Sequence, residues 1–187
     1  MVFLNDWPVT KSYSSIEVYD PVEDSWSTLS SPGGSGYTHR WGAGTCMCNG
    51  LIYVIGGNPS KDYVVPGETV PSLDIVEVYN PVTNSWTQKA SMPTARFGLA
   101  AVAVENKIYA IGGASLYPPR EFTPIVEVYD PATETWEKLG NTPRDLHFTA
   151  AVEQDGIIYL PGYQGQLPSD EFDIFYTYDP ACDSKTK

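Results

Sequence analysis

The sequence predicts an all-β chain built from repeated units of four short antiparallel strands. Glycine and proline contribute 16 residues each to the 187, and this excess over average composition is typical of short strands joined by turns. Segments such as Val-Glu-Val-Tyr alternate with period two, which indicates strands. One such segment recurs four times, so the strands belong to a repeat.

The recurring segment ends in a tyrosine, an aspartate or asparagine, and a proline. Its copies lie at residues 16–21, 76–81, 126–131 and 175–180. Their tyrosines, which are 60, 50 and 49 residues apart, are Tyr19, Tyr79, Tyr129 and Tyr178. In the first three copies a tryptophan follows by seven positions, at Trp26, Trp86 and Trp136. This regular spacing indicates a structural unit of about 50 residues.

A second recurring block lies upstream of each later copy, at residues 51–57, 107–113 and 157–162. The first two blocks end in a double glycine, Gly56-Gly57 and Gly112-Gly113, as expected where the backbone needs a positive φ or a close approach. Small apolar residues precede the block. Each repeat therefore offers four strands in chain order: A is the small apolar strand, B precedes the glycines, C ends in the tyrosine, and D contains the tryptophan.

Turn residues separate the predicted strands. The Asp-Pro or Asn-Pro pair between C and D is a type I turn signal, because proline sets φ and the Asx side chain bonds the backbone ahead of it. Asn49-Gly50, Glu105-Asn106 and Asp155-Gly156 turn strand A into strand B. A helix over residues 97–111 is the competing interpretation, since alanine is frequent there, but the turn residues interrupt it.

Four-stranded units with this period, a double glycine and a tyrosine followed by a tryptophan resemble the kelch repeat. The resemblance implies a β-propeller, in which repeats form blades around a central channel. Strand A would be innermost, and the tyrosines and tryptophans would pack between adjacent blades. We predict a single domain over residues 1–187, with a partial blade at 1–30, full blades at 40–90 and 96–140, and a partial blade at 146–181.

Both terminal blades are predicted to lack strands. Residues 2–6 align with strand B, and Lys185 stands where the tryptophan of strand D is expected. The predicted 14 strands are not divisible by four, which leaves about three and a half blades and an incomplete ring. The exposed blade faces favour self-association.

The charge balance argues against two classes of partner. The chain has 23 acidic and 11 basic side chains, a net charge of −12, which repels nucleic-acid phosphates and acidic lipids. Residues 1–7 do not resemble a secretory signal, no apolar run could span a membrane, and three cysteines fit a reducing compartment. We therefore expect a cytoplasmic protein with neither nucleic-acid nor membrane partners.

The B–C and D–A connections lie on one side of a blade, here called the loop face, and the A–B and C–D turns lie on the opposite turn face. Long loops on a rigid scaffold commonly bind ligands. The candidate ligand-binding residues on the loop face are Tyr37, His39, Arg40, Tyr63, Glu68, Arg96, Tyr117, Arg120, Arg144 and Tyr163. The alternative is that these loops only cover blade edges.

Two of these arginines occupy equivalent repeat positions. Arg40 and Arg96 each lie 13 residues before the tyrosine of strand B, where the third copy has Leu146. In kelch propellers such arginines can line the channel mouth and hold acidic ligands, so the resemblance implies ligand contact. A structural salt bridge to the repeated glutamates is equally open. Those glutamates are Glu17, Glu77 and Glu127.

The sequence predicts no catalytic residue, metal site or cofactor. The two histidines, His39 and His147, have no nucleophile or acid placed with them, and His147 aligns with aromatic residues that pack. Cys46 and Cys48 fall in strand A, where a thiol behaves as a small apolar side chain.

The resemblance implies a non-enzymatic scaffold that binds a protein or peptide through the loop face. Two alternatives remain open at this stage. One is a carbohydrate-binding or sugar-modifying propeller fragment of the mutarotase type, and the other is an inactive truncated product.

Overall fold

The structure, a computed structural model, is entirely β in its regular secondary structure over the residues that it describes. These are residues 15–30, 37–59, 71–115, 121–143, 145–147, 149–161 and 175–181. Within these ranges no helix is long and apolar enough to cross a membrane. The all-β prediction is confirmed, and the alanine-rich segment forms strands instead of a helix.

Blade 1 is described as a hairpin of strands C and D. Strand β1 (Ser15–Asp20) pairs antiparallel with β2 (Ser25–Ser30), and this register places Tyr19 opposite Trp26. The Asp20 side chain accepts a hydrogen bond from the backbone amide of Val22 at 2.8 Å, as the Asx-Pro turn requires. The predicted strand B, at residues 2–6, lies outside the described residues.

Blade 2 is a complete sheet in the predicted order A–B–C–D. Its strands are β4 (Gly44–Cys48), β5 (Leu51–Ile55), β7 (Val76–Asn80) and β8 (Ser85–Lys89). On the loop face, β3 (Arg40–Trp41) pairs with β6 (Asn58–Pro59) in a two-stranded sheet. This small sheet joins the entry to strand A with the exit from strand B.

Blade 3 repeats the same arrangement. Its strands A to D are β9 (Ala100–Val104), β10 (Lys107–Ile111), β13 (Ile125–Asp130) and β14 (Thr135–Asn141). A short pair on the loop face joins β11 (Ala114–Ser115) to β12 (Glu121–Phe122).

Blade 4 is described as strands A, B and C. They are β15 (Val152–Gln154), β16 (Ile157–Pro161) and β17 (Phe175–Tyr178). The four sheets follow the predicted strand order, whereas the exact limits of the blades along the chain stay a prediction.

Each blade has a forward face toward the next blade and a backward face toward the preceding one. Between blades 2 and 3, the forward residues Tyr53 and Val78 form one cluster with the backward residues Ile108 and Tyr129. A second cluster fills the space between blades 3 and 4. Each fully buried large apolar side chain contributes about 1.5–3 kcal/mol, so these inter-blade layers are the core of the fold.

The double glycines lie where the backbone of the next blade approaches. Gly112 has φ 64°, and a Cβ there would stand 2.2 Å from the carbonyl oxygen of Leu146. The amide of Gly113 donates to the same carbonyl at 2.6 Å. Gly57 donates equivalently to Arg96, at 2.9 Å. Glycine is needed here because a side chain would push the neighbouring blade away.

Candidate functional site

Four of the ten predicted ligand-binding residues lie within the described residues. Tyr37, His39 and Arg40 belong to the connection that enters blade 2, and Arg96 belongs to the connection that enters blade 3. The other six lie outside the described residues: Tyr63, Glu68, Tyr117, Arg120, Arg144 and Tyr163. A ligand-binding role for the set therefore stays a prediction.

Arg96 is fully buried, and its guanidinium is held by groups of its own blade. It forms a salt bridge with Glu127, whose side chain is also buried. It also donates to three backbone carbonyl oxygens: Gly112 at 2.8 Å, Thr94 at 2.9 Å and Ala110 at 3.0 Å. Burial lowers the pKa of Arg96, and the charge of Glu127 opposes this shift. The ion pair ties the entry of blade 3 to strands B and C.

Arg40 forms the equivalent pair in blade 2. Its Nη2 lies 2.8 Å from the Oε2 of Glu77 and donates to the carbonyl oxygen of Val54 at 3.0 Å. Thr38 adds hydrogen bonds to Glu77 from its backbone amide, at 3.0 Å, and from its hydroxyl, at 2.9 Å. The structural salt bridge left open by the sequence is thus present in both complete blades.

Blade 4 replaces both members of this ion pair. Leu146 takes the position of Arg96, and Tyr176 takes the position of Glu127, two residues before the tyrosine of strand C. Both pack into the cluster between blades 3 and 4. In blade 1 the half-buried Glu17 accepts a hydrogen bond from the Thr28 hydroxyl at 2.8 Å. Among the described residues, the arginine–glutamate pair occurs in blades 2 and 3.

The two arginines differ in how completely they are bonded. Nε and Nη1 of Arg40 are buried without a hydrogen-bond partner among the described residues, whereas both of these atoms are bonded in Arg96. The neighbouring Asn58 is 1% exposed, and neither its Oδ1 nor its Nδ2 has a partner there. Because buried polar atoms are nearly always bonded, these four atoms mark unused bonding capacity.

The small sheet of β3 and β6 places Arg40 and Asn58 on paired strands, offset by one position. Trp41 is opposite Asn58 in this pairing, and Arg40 is opposite Pro59. The ring of Tyr37 lies over the Arg40 guanidinium. The distance from the ring centroid to Arg40 Cζ is 5.5 Å. The two unbonded guanidinium donors of Arg40 fit a carboxylate, since charge-assisted hydrogen bonds are the strong ones.

Sequence reasoning did not identify Asn58. Its signal was the position directly after the double glycine, where blade 3 has the buried Ala114. A polar residue at a position that is apolar and buried in the next repeat needs a partner.

His147 and Cys46, two other residues with side chains that can react or bind metals, pack against neighbouring side chains. His147 is buried and stacks on Phe122 with the ring centroids 4.2 Å apart, in keeping with an aromatic packing role. Burial, aided by the neighbouring Cys48, raises the pKa of Cys46 to about 12, so this thiol stays protonated and unreactive at neutral pH. Across the described ranges, no group of three or more His, Cys, Asp or Glu could hold a metal ion.

A cavity of about 320 Å³ lies on the turn face, between blades 2 and 3. Lys107, Glu105 and Asp130 contribute to its lining, together with Lys89, which is paired with Glu134 across the blades. The cavity contains none of the predicted binding residues. The Arg40–Asn58 pair on the loop face is therefore the site that the predicted residues point to.

Comparison with known proteins gives consistent matches. The Kelch motif model matches residues 63–93 and 95–143. Kelch-like protein 25 of Xenopus tropicalis is 34% identical over 103 residues, which are 55% of this chain and 17% of that protein. Human Kelch-like protein 28 is 36% identical over 103 residues, 53% of this chain and 16% of its own length. Kelch-like ECH-associated protein 1A of Danio rerio is 32% identical over 103 residues, 55% of this chain and 16% of that protein.

These curated relatives are much longer than the matched region, which spans about a sixth of their length. Among solved structures, YjhT superposes with a TM-score of 0.63 at 20% identity, covering 79% of this chain and 51% of that one. At this identity the likeness establishes the fold, which is a kelch-type β-propeller arrangement of blades.

Proposed function

Because the chain belongs to the kelch repeat family, we propose that it is a non-enzymatic scaffold that binds an acidic segment of a partner protein. The binding surface would be the loop face at Arg40 and Asn58. The observation that carries this proposal is the set of four buried, unbonded polar atoms on these two residues. A carboxylate would accept hydrogen bonds from the guanidinium donors of Arg40, and the peptide backbone beside it, which has both N–H and C=O groups, would bond Oδ1 and Nδ2 of Asn58.

The blade itself prepares the donors. Glu77 and the carbonyl oxygen of Val54 hold Nη2 of Arg40, so the guanidinium is oriented before any ligand arrives. Such preorganisation lowers the entropy cost of binding. Tyr37 is half-buried, and its ring lies over the guanidinium.

Relatives support the class of function. The name of the Danio rerio relative records that it is ECH-associated, and its matched region covers 55% of this chain. The net charge of −12 repels anions at long range. This repulsion grows with the total negative charge of the partner, so a short acidic motif is favoured over a partner that is acidic throughout.

The test compares a capped peptide carrying two glutamates with the same peptide carrying glutamines, by isothermal titration calorimetry. We expect the glutamate peptide to bind at least tenfold more tightly. Asn58→Ala, which copies the alanine of blade 3, should weaken binding at least several-fold without lowering the melting temperature, since it removes an unbonded amide. Thr87→Ala, an exposed change in strand D of blade 2, is the matched control and should change neither.

Two outcomes would contradict the proposal. One is equal affinity for the glutamate and glutamine peptides. The other is binding of a monosaccharide, with no binding of either peptide, which would support the carbohydrate alternative instead.

A further inference from the structure

The turns between strands A and B have the same backbone shape in blades 2, 3 and 4 but different residues. Both residues of each turn have a positive φ: 51° and 75° at Asn49-Gly50, 48° and 64° at Glu105-Asn106, and 54° and 80° at Asp155-Gly156. In blade 2, Cys48 and Leu51 pair directly on either side of the turn. This geometry is typical of the type I′ hairpin turn. Only in blade 2 does an asparagine precede the glycine, and the sequence contains no other Asn-Gly pair.

The two groups of this pair that can react with each other are both unrestrained. Asn49 and Gly50 are exposed, and nothing lies within 4 Å of a Cβ placed on Gly50. Among the described residues, neither the Asn49 side chain nor the Gly50 backbone amide takes part in a hydrogen bond. The side-chain carboxamide carbon and the backbone nitrogen of the following residue are therefore held apart by no other contact.

Blade 4 shows how the same turn can be restrained. There the backbone amide of Gly156 donates a hydrogen bond to Oε1 of Glu153 at 2.8 Å. Glu153 lies three residues before the glycine, and the residue at that place in blade 2 is Met47. Met47 is 69% exposed, and its thioether is at most a weak acceptor. Blade 2 therefore lacks the carboxylate that binds this amide in blade 4.

We propose that Asn49 is a site of spontaneous deamidation. The Gly50 nitrogen attacks Cγ of Asn49, a new C–N bond closes a five-membered succinimide ring, and the side-chain nitrogen leaves as ammonia with the proton that the Gly50 nitrogen gives up. Water then opens the ring at one of its two carbonyl carbons, and the product is aspartate or isoaspartate. Glycine favours ring closure, because it has no Cβ to hinder the approach of its nitrogen and its backbone rotates freely.

The two products affect the turn differently. Aspartate fits, since Asp155 occupies the equivalent position in blade 4 at a φ of 54°. Isoaspartate routes the chain through the former side chain, which adds a methylene group to the backbone of a two-residue turn. The two residues of a type I′ turn fix the register of the strands that they join. Isoaspartate should therefore loosen the hairpin of β4 and β5.

Incubation of the whole chain at neutral pH and elevated temperature, followed by peptide mass spectrometry, tests the proposal. We expect the peptide that contains Asn49 to gain the mass difference between an amide and an acid, with fragment ions that assign the change to Asn49. Asn106 is the internal control, because it is exposed in the equivalent turn of blade 3 but precedes Lys107. Asn49 should react at least tenfold faster than Asn106.

Two variants test whether the free Gly50 amide accounts for the reaction. Met47→Glu copies Glu153 of blade 4, and it should slow the loss of Asn49 several-fold because the new carboxylate would accept a hydrogen bond from Gly50. Met47→Ala is the matched control, which removes the same exposed side chain and adds no acceptor, and it should react as fast as the unmodified protein. Circular dichroism melts establish that each variant folds.

An unchanged mass of the Asn49 peptide would overturn the proposal, as would a rate no higher than that of Asn106. Equal rates in Met47→Glu and Met47→Ala would overturn the assigned role of the free amide. The proposal is independent of the acidic-peptide site, which lies on the opposite face, and Asn58→Ala should deamidate at Asn49 as fast as the unmodified protein.

Discussion

The phenol of Tyr129 is buried without a hydrogen-bond partner among the described residues because Glu134, five residues later, pairs with Lys89 of blade 2. In blade 1, Tyr19 donates to Asp24 at 2.8 Å, and in blade 2, Tyr79 donates to Asn84 at 2.9 Å. The longer side chain of Glu134 reaches across to the neighbouring blade. Blade 3 therefore exchanges a hydrogen bond inside its C–D turn for an ion pair between blades.

The substitution Glu134→Asn should stabilise the protein. The introduced asparagine would accept from Tyr129 as Asn84 does from Tyr79, and asparagine tolerates the positive φ of 56° at this position better than glutamate does. The lost pair with Lys89 is partly exposed and contributes little. We expect a gain of about 0.5–1.5 kcal/mol in the free energy of unfolding, measured in urea. Glu134→Gln, which loses the charge but is too long to restore the bond, should show no gain.

Removal of the Glu127 charge should be among the most destabilising changes in the chain. Glu127→Gln leaves the buried guanidinium of Arg96 without its counter-charge, which costs about 3–5 kcal/mol. Glu17, which is only half-buried, occupies the same position in blade 1, and Glu17→Gln should cost less than about 1 kcal/mol. Equal losses in the two variants, measured by chemical denaturation, would contradict a structural role for the buried pair.

Two glycine-to-alanine changes should differ in how much stability they cost. Gly112 belongs to a double glycine that faces the next blade, and Gly156 lies in the turn between strands A and B of blade 4. In Gly112→Ala the new Cβ would meet the Leu146 carbonyl oxygen at 2.2 Å, so blade 4 must shift away. In Gly156→Ala nothing lies within 4 Å of the new Cβ, and only the strain at φ 80° remains. We expect about 1–2 kcal/mol of destabilisation for Gly156→Ala and a larger loss for Gly112→Ala. Thermal melts of both variants measure the difference.

The half-buried thiol of Cys46 should make the protein sensitive to alkaline pH. Its pKa is raised to about 12 in the folded chain, against about 8.5 for an unfolded cysteine. The folded state therefore favours the protonated thiol. The resulting stability is fully present below about pH 8.5 and is lost progressively as the pH rises toward 12, by up to about 1.4 kcal/mol per pH unit.

Cys46→Val, which copies Val102 of blade 3, tests this dependence. The variant should lose less unfolding free energy between about pH 8.5 and 10.5 than the unmodified protein does, by roughly 2 kcal/mol. Burial, with a smaller effect of the Glu134 charge, also raises the pKa of Tyr129 to about 12. Both proteins therefore weaken at high pH, and only the difference between them reports on Cys46. Parallel pH profiles would contradict the prediction.

Much of the architecture could be predicted because its signals are local. The alternation of Val126–Tyr129, the Asx-Pro turns and the double glycines each act over a few residues, and the strands form where they indicate. For Arg96 the sequence left two alternatives, a salt bridge with Glu127 and contact with a ligand. The position of a residue in a repeat does not determine the direction of its side chain, and the structure shows the salt bridge. Asn58 was missed because its burial follows from the pairing of two-residue strands that carry no periodic signal.

The sequence by itself determined the repeat, the order of strands and the turns between them, because hydrophobic periodicity and turn chemistry depend on adjacent residues. The tertiary structure alone decided which polar groups find partners. Glu134 turns to Lys89, 45 residues away, and Tyr129 loses its acceptor, while Arg40 and Asn58 retain unbonded atoms that Arg96 and Ala114 do not have. The reason is physical: whether a buried polar atom is bonded depends on where neighbouring strands and blades place their backbone and side chains.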